Sequence, residues 1–177
     1  MIFFTSDTHI NHKNIIQYCN RPFTTVEEMT LIITKNWNAC VKPTDTIYHL
    51  GDVGFFKGDD AIDFINELNG MKYILPGSHD HWIEGLRRRS LRDAGYYIFK
   101  SGYQEINIQG QHIVLCHYAM RSWPKSFHGS WHLFGHSHGR LEPYGKSFDV
   151  GMDCHNFFPI EFDTIKKQMN LLSNNKD

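Results

Sequence analysis

The first half of the chain alternates short apolar runs with segments of helical periodicity. Three runs of strand length each end at a turn, and these predicted strands are residues 2–5, 46–50 and 72–75. A helix of about a dozen residues is predicted after Thr25, because Glu28 completes a capping box and apolar residues follow at helical spacing. Two further helices are expected over residues 61–68 and 81–93. The alternation predicts an α/β fold whose first half forms a parallel sheet.

The second half of the chain is richer in strand patterns. The predicted strands are residues 103–108, 111–116, 131–134, 148–150 and 160–162. The first two of these should form a hairpin, because the turn Gln109-Gly110 separates them. A closing helix is expected over residues 163–172. We therefore predict a single domain over residues 1–177 that is antiparallel in its second half, with residues 170–177 as a frayed tail.

Composition and charge narrow the classes of function. Hydrophobic residues make up 41% of the 177 residues, which is typical of one globular domain. The 18 basic and 19 acidic residues give a formal net charge of -1, so no overall field attracts nucleic acid or an anionic membrane. No apolar run reaches the ~18 residues of a membrane span, and the N-terminus lacks a secretion-signal pattern. We expect a cytoplasmic protein without a membrane partner or a strong nucleic-acid signal. The oligomeric state stays open.

Five short motifs place metal-binding side chains at the predicted strand ends. They are Asp7-Thr8-His9, Gly51-Asp52, Gly77-Ser78-His79-Asp80, Cys116-His117 and Gly135-His136-Ser137-His138. Each motif alone could be a turn, a helix cap or a packed histidine. In α/β sheets, however, ligands bind beyond the carboxyl ends of the strands, where all five motifs fall. Together they predict a metal site, whereas other histidines, such as His12 and His132, are expected to be structural or solvated.

The side-chain types in these motifs suit hydrolysis of a phosphate ester by two metal ions. The anionic oxygens of a phosphoester repel a nucleophile, and water at neutral pH is a poor one. Two divalent ions about 3.5–4 Å apart neutralise the phosphate and lower the pKa of a bridging water, so that hydroxide becomes available for attack. Carboxylate and imidazole ligands suit Mn, Fe or Zn. Asp52 is the natural candidate for the carboxylate that bridges both ions.

The order of the five motifs resembles that of the calcineurin-like metallophosphoesterases, and the chain is similar to short bacterial and phage members of that superfamily. The match extends from Asp7 to His138. The resemblance implies a metallophosphoesterase-type sandwich of mixed β-sheets flanked by helices. It also implies two divalent metal ions, for which we expect Mn²⁺, with Fe, Zn, Ni or Mg as alternatives. The implied metal ligands are Asp7, His9, Asp52, Ser78, His117, His136 and His138.

The same resemblance implies a role for each of these residues. The first metal would be held by Asp7, His9 and His138, the second by His117, His136 and Ser78, and Asp52 would bridge the two. His79 would stand beside the phosphate and protonate the leaving group or stabilise the transition state. His79 and Asp52 are therefore the predicted catalytic residues. Asp80 is expected to orient the turn.

The chain departs from the superfamily pattern at Ser78, where other members have asparagine. The carbonyl oxygen of an asparagine is a ready metal ligand. A neutral serine hydroxyl is shorter and binds a metal more weakly. We therefore expect the second metal to bind loosely and any activity to depend on a high metal concentration.

Two arginines near the motifs are candidates for binding a substrate phosphate. Arg21 lies in a segment that resembles a loop of small bacterial and phage members, and its guanidinium could clamp a phosphate oxygen. The alternative is an exposed loop arginine without a role at the site. Arg121, shortly after His117, is a weaker candidate of the same kind. Arg87 to Arg89 are expected to form a solvated helix face.

Three functions remain open from the sequence. The first is a metal-dependent phosphodiesterase acting on a small or nucleotide substrate. The second is a phosphomonoesterase, which would need positive side chains such as Arg21 or Arg121 for the additional phosphate charge. The third is a metal-binding or phosphate-binding protein that has lost turnover through Ser78. A nucleotide would need a base-binding wall, for which Trp82, Trp123 and Phe157 are candidates, although each could equally pack in the core.

Overall fold

Two β-sheets organise the structure, a computed structural model that describes residues 1–57, 60–83 and 95–175. The first sheet contains β1 (Ile2–Thr5), β2 (Thr46–His49), β3 (Met71–Ile74), β4 (Tyr96–Ile98) and β9 (Ile160–Glu161), in the spatial order β4-β3-β2-β1-β9. The second sheet contains β5 (Tyr103–Ile108), β6 (Gln111–Cys116), β7 (Trp131–Phe134) and β8 (Ser147–Asp149), in that spatial order. The flanking helices are α1 (Ile15–Tyr18), α2 (Val26–Cys40), α3 (Asp60–Glu67) and α4 (Phe162–Met169). The predicted sandwich of mixed sheets flanked by helices is confirmed.

The strand directions agree with the prediction in the first half of the chain but not in the second. Strands β1 to β4 pair in parallel, and β9 joins the edge at β1 in the antiparallel direction. The predicted hairpin of β5 and β6 is present, yet β6, β7 and β8 are parallel to one another, so the prediction of an antiparallel second half is wrong. Parallel neighbours need crossover connections of about a dozen residues or more. Residues 117–130 and 135–146 provide them.

Helix α2 begins where its capping sequence predicts. The Thr25 side chain accepts a hydrogen bond from the Glu28 amide at 3.1 Å. The Glu28 carboxylate reaches back to the amide of Thr24, at 2.7 Å, so that a second free donor at the helix start is satisfied. The apolar positions Met29, Ile33 and Trp37 are buried, as their helical spacing predicts.

The other predicted helices are present where the structure describes the chain. Helices α3 and α4 each begin one residue before the predicted start. The helix expected over residues 81–93 lies outside the described residues beyond position 83, as do Arg87 to Arg89. Helix α1 and strand β4 were not predicted, because elements of four and three residues are too short to show a period. No helix among the described residues is both long and apolar enough to cross a membrane.

The first sheet is buried on both faces, as strand β1 illustrates. Phe3 packs in one core with residues of α2 and α3, whereas Phe4 packs in a second core with residues of the second sheet and α4. Successive side chains of a strand point to opposite faces, so neighbouring phenylalanines supply different layers. Both faces of the sheet are therefore occupied by packing, and its carboxyl edge is left for the first three motifs.

The segment after α4 is mostly exposed but is held at a few points. The Lys146 ammonium donates to the carbonyls of Met169, at 2.6 Å, and Leu172, at 2.8 Å. These bonds tie the residues that follow α4 to the connection between β7 and β8. Asn175 is only 7% exposed. The frayed tail stays a prediction, and residues 176–177 lie outside the described chain.

His132 on β7 should make the stability of the fold depend on pH. Its Nδ1 lies 3.1 Å from the Val114 carbonyl and its Nε2 lies 3.0 Å from the Met120 amide, so the buried ring is neutral and accepts at Nε2. Burial lowers the pKa of His132 from 6.5 to about 4. The unfolded chain therefore binds this proton more tightly than the folded chain does. The stability that the neutral ring contributes is complete above pH 6.5 and is lost as the pH falls toward 4.

We expect His132→Gln, which keeps an acceptor near the Met120 amide but does not titrate, to flatten this dependence. Between pH 7 and pH 4.5, its unfolding free energy should fall by about 2 to 3 kcal/mol less than that of the wild type. Urea denaturation at the two pH values measures the difference, with the exposed His128→Gln as the matched control. Equal slopes for wild type and His132→Gln would contradict the assignment.

Candidate metal centre

The five motifs meet at one edge of the molecule, because each follows the carboxyl end of a strand. Asp7, Asp52 and Ser78 follow β1, β2 and β3, while His117 and His136 follow β6 and β7. Hydrogen bonds join the loops within each sheet, from the Asp7 amide to the Gly51 carbonyl at 3.0 Å and from the Gly135 amide to the His117 carbonyl at 3.0 Å. A further bond crosses between the sheets, from the His136 amide to Asp7 Oδ2 at 2.9 Å. The two sheets thus share one site.

Six of the seven predicted ligands form two groups, each of which could hold a metal ion. The first ligand group is Asp7, His9 and His138, and the second ligand group is Asp52, His117 and His136. Within each group the potential ligand atoms lie within 4.8 Å of one another. The structure therefore brings these residues together in the arrangement that the resemblance implied. That they bind metal stays a prediction.

The Asp52 carboxylate lies between the two ligand groups. Its Oδ2 is 3.6 Å from His9 Nε2 and 3.3 Å from His117 Nε2. Its Oδ1 accepts the amide of His79 at 2.8 Å. Burial opposes ionisation, but the adjacent His117 ring holds the pKa of Asp52 below its ordinary value. Asp52 is thus a carboxylate within reach of ligand atoms of both groups, and its role as a bridging ligand stays a prediction.

Three buried ligand atoms have no hydrogen-bond partner among the described residues: Asp7 Oδ1, His9 Nε2 and His117 Nε2. The His117 ring is oriented by its Nδ1, which lies 2.9 Å from the Leu50 carbonyl, so its Nε2 faces the Asp52 carboxylate. Burial raises the pKa of Asp7 to about 6, which reflects the cost of a buried carboxylate with one oxygen unpaired. Buried polar atoms are rarely left unpaired in folded proteins. Divalent cations would satisfy all three, and the nitrogen and oxygen donor set fits them.

Most of these ligands have a left-handed backbone conformation. The φ angles of Asp7, His9, Asp52, His136 and His138 lie between 49° and 64°. This conformation costs residues other than glycine about 1–3 kcal/mol each, and Asp, Asn and His tolerate it better than most. Such strain persists only where the surrounding structure enforces it, and it clusters at functional sites. The motif loops therefore keep a strained backbone conformation that sets the direction of the ligand side chains.

Three motif glycines allow the loops to approach one another. A Cβ atom on Gly51 would lie 2.5 Å from Gly77 Cα, and one on Gly77 would lie 2.2 Å from the Asp52 nitrogen. A Cβ atom on Gly135 would lie 2.1 Å from Ser6 Oγ. Real Cβ atoms do not approach other atoms so closely, so any side chain at these positions would push the ligand groups apart.

Asp80 orients the turn that carries His79, as the sequence analysis expected. Its buried carboxylate accepts the amides of Gly77 at 2.9 Å and Asp52 at 2.7 Å, and the indole of Trp82 at 3.1 Å. Asp80 therefore ties the third motif to the second. The His79 ring is half-buried and its centroid is 5.6 Å from that of His9. This places the predicted acid beside the first ligand group.

Ser78, the departure from the superfamily pattern, also lies at the centre. Its hydroxyl donates toward the Asp52 carboxylate, at 3.1 Å from Oδ2 and 3.3 Å from Oδ1. A hydroxyl used in this way fixes the bridging carboxylate. Its role as a ligand stays a prediction.

Arg21 is a structural residue here, so both expectations for it are corrected. It is only 4% exposed, and its Nε and Nη2 each donate to the Asp153 carboxylate at 2.8 Å. The remaining donors bind the carbonyls of Asp7, at 2.6 Å, and Thr8, at 3.1 Å. An arginine whose donors all face inward cannot clamp a substrate phosphate, and it is not an exposed loop residue. Instead it anchors the first motif.

Asp153 is a site residue that the sequence analysis missed. Its Oδ2 lies 2.7 Å from His138 Nδ1, which leaves His138 Nε2 for a metal. Burial alone would lower the pKa of His138, but the hydrogen bond to Asp153 raises it. Asp153 stands in a one-turn 3-10 helix, Met152–Cys154, and belongs to none of the five motifs. Its only sequence signal is a carboxylate shortly after a predicted strand.

The aromatic residues near the site are not those expected. Trp82 and Trp123 are 9% and 5% exposed, and Phe157 packs on Phe23 with ring centroids 4.7 Å apart, so these three belong to the core. The exposed rings beside the ligands are instead Phe55 and Tyr118. The sequence offered no signal for either, because each lies in a loop without a period.

Arg121 is exposed, and its guanidinium carbon lies 4.4 Å from the centroid of the Tyr144 ring. This is cation–π geometry, which holds the side chain over an aromatic surface. A role for Arg121 in binding phosphate stays a prediction.

Comparison with known proteins identifies relatives of this chain. It is 34% identical over 175 residues to the uncharacterized protein MJ1445 of Methanocaldococcus jannaschii, covering 94% of this chain and 89% of that protein. Its fold is similar to a protein of unknown function, AQ665 from Aquifex aeolicus, with a TM-score of 0.70, 24% identity and coverage of 95% and 98%. An archaeal phosphodiesterase aligns more distantly, with a TM-score of 0.49, 18% identity and coverage of 85% and 81%. No protein-family model matches the chain.

Asp153→Asn should weaken metal binding by removing the carboxylate that orients His138. Loss of such a partner typically lowers metal affinity about 10- to 100-fold. Isothermal titration with Mn²⁺ measures the effect, circular dichroism verifies that the variant is folded, and the exposed Asp163→Asn is the matched control. An unchanged affinity in a folded Asp153→Asn protein would show that Asp153 does not orient the ligand.

Proposed function

We propose that the chain, which belongs to the family of the M. jannaschii protein MJ1445, is a calcineurin-like metallophosphoesterase by its motifs and acts as a metal-dependent phosphodiesterase. The observation that carries the proposal is the set of unpaired buried atoms of Asp7, His9 and His117 around the ionised Asp52 carboxylate. A protein without a cation would leave three costly polar atoms at one place. Two cations satisfy them together.

We propose two divalent metal ions, one for each ligand group, with Asp52 shared. Asp7, His9 and His138 would hold the first, and His117 and His136 the second, with Ser78 beside them. Mixed carboxylate and imidazole ligands fit Mn²⁺ best among the expected metals, with Fe, Zn, Ni or Mg as alternatives. When bound, such ions neutralise a phosphate group and lower the pKa of water.

The residues of the chain supply positioning and a proton. The amide of His79 donates to Asp52 Oδ1, and Asp80 fixes the turn, so the half-buried imidazole is held beside the first ligand group. From there it can donate a proton to the leaving oxygen of an ester bound between the two groups. Bonds to Asp153 and to the Leu50 carbonyl hold the rings of His138 and His117. Little reorganisation would be needed during the reaction.

The charges near the site favour a diester over a monoester. A monoester carries an additional negative charge, for which the sequence analysis named Arg21 and Arg121. Arg21 is instead neutralised by Asp153 and bound to two backbone carbonyls. It has no donor left for a substrate. A diester, with a single negative charge, does not need one.

Hydrolysis should depend on His79. With Mn²⁺, the protein should hydrolyse bis(p-nitrophenyl) phosphate faster than p-nitrophenyl phosphate. His79→Ala should lose about 10²- to 10⁴-fold in diester turnover through loss of the general acid. The exposed His81→Ala, two residues away, is the matched control and should keep full activity. If neither ester is turned over while titration shows that Mn²⁺ and phosphate bind, the alternative of a binding protein impaired at Ser78 is favoured.

Ser78→Asn should tighten the second metal site. A carbonyl oxygen would replace a weak hydroxyl donor, so the looser of two Mn²⁺ dissociation constants should fall by about tenfold or more. Isothermal titration resolves the two events, and Ser101→Asn, at an exposed turn, serves as the control. Two equally tight sites in the wild type, unchanged by Ser78→Asn, would contradict the weak-site expectation.

A further inference from the structure

Four aromatic rings form a partly exposed cluster next to the first ligand group. The aromatic cluster consists of His12, Tyr18, Phe55 and His79. The Phe55 ring centroid lies 5.3 Å from that of His79 and 4.4 Å from that of His12. Phe55 is 40% exposed and Tyr18 is 61% exposed. Exposed aromatic rings gathered beside a candidate catalytic group have a large apolar surface that no part of the described chain covers.

The cluster is built into the site rather than placed there by a free loop. The Phe55 amide donates to the Ile10 carbonyl at 2.8 Å, and the Asn11 side chain donates to the Phe55 carbonyl at 3.1 Å. His12 Nδ1 lies 3.2 Å from Nδ1 of His9, a residue of the first ligand group. Phe55 and His12 are therefore both fixed relative to the atoms that would hold the metal. A surface fixed in this way binds a ligand without a large ordering cost.

We propose that the aromatic cluster is a subsite for a planar ring of the substrate, so that the substrates are nucleoside phosphodiesters with the base against Phe55. This inference rests on the proposed phosphodiesterase function. A phosphate between the two ligand groups would have its ester group on the His79 side within reach of Phe55. Bases stack on aromatic side chains whatever their sequence, and the exposed part of the Phe55 ring suits that contact.

A second exposed ring, Tyr118, adjoins the other ligand group. It is 50% exposed, and its centroid is 5.0 Å from His117 and 4.7 Å from His136. Its described ring contacts are with metal-ligand candidates alone, whereas Phe55 stands among rings outside the ligand groups. We therefore assign the base to Phe55 and treat Tyr118 as the competing position.

The experiment compares two ligands that differ only in the base. Adenosine 5′-monophosphate and ribose 5-phosphate share a sugar and a phosphate, and each is titrated calorimetrically into Mn²⁺-loaded protein, with inorganic phosphate as a third probe. The wild type should bind the nucleotide at least about tenfold more tightly than ribose 5-phosphate, as stacking of one base predicts. Phe55→Leu should bring this ratio close to one. Phe55→Trp, which restores a planar ring, should keep it.

The control is Phe127→Leu, the same substitution at a phenylalanine that is 45% exposed and has no ring contact with the described histidines of the centre. It should leave the ratio unchanged. A ratio near one in the wild type, or a ratio that Phe55→Leu leaves intact, would overturn the subsite, and a ratio lost only in Tyr118→Leu would move it to the other ligand group. If all three probes bind with equal affinity, the subsite alone fails. If none of the three probes binds, the proposed phosphodiesterase function fails together with the subsite.

Discussion

The close approach of the motif loops is the constraint on which the candidate centre depends. Gly77 lies so near Asp52 that even a methyl group would collide with the backbone, and Gly51 and Gly135 have equally little room. Because the loops touch, Asp52 reaches both ligand groups at once. The left-handed conformations of the ligands follow from the same crowding, since each motif loop must turn sharply after its strand. Strand ends that were free to relax would not hold five ligand side chains around the Asp52 carboxylate.

Burial of charge is the second constraint, and the chain meets it in two ways. Outside the ligand groups, each buried charge has partners: Arg21 faces Asp153, and Asp80 is surrounded by amides. At the ligand groups, by contrast, Asp7 and His9 are left with unpaired atoms. The unpaired atoms of Asp7 and His9 face each other across the first ligand group. Ligand atoms without protein partners, surrounded by charges that have partners, are what a buried cation site requires.

Local sequence patterns predicted much of the fold and most of the centre. The capping of α2 by Thr25, the hairpin of β5 and β6, and the gathering of the motifs at one edge all depend on neighbouring residues or on a general rule for parallel strands. The failures were contacts between distant parts of the chain. The bond from Arg21 to Asp153 spans 132 residues, and no pattern around either residue indicates the other. The parallel direction of β6, β7 and β8 likewise depends on the path of the long connections between them. Hydrophobic periodicity does not encode that path.

The correction for Arg21 changes the chemistry expected of the centre. An arginine facing the substrate would have favoured a phosphate group with two negative charges, whereas an arginine directed at Asp153 acts only through His138 and the backbone of the first motif. Binding energy for a singly charged diester must then come from its organic part as well as from the metals. Phe55, fixed by its backbone beside His79, is the surface that can provide it. The inward-facing arginine and the outward-facing phenylalanine thus favour the same kind of substrate, one on electrostatic grounds and one through its apolar surface.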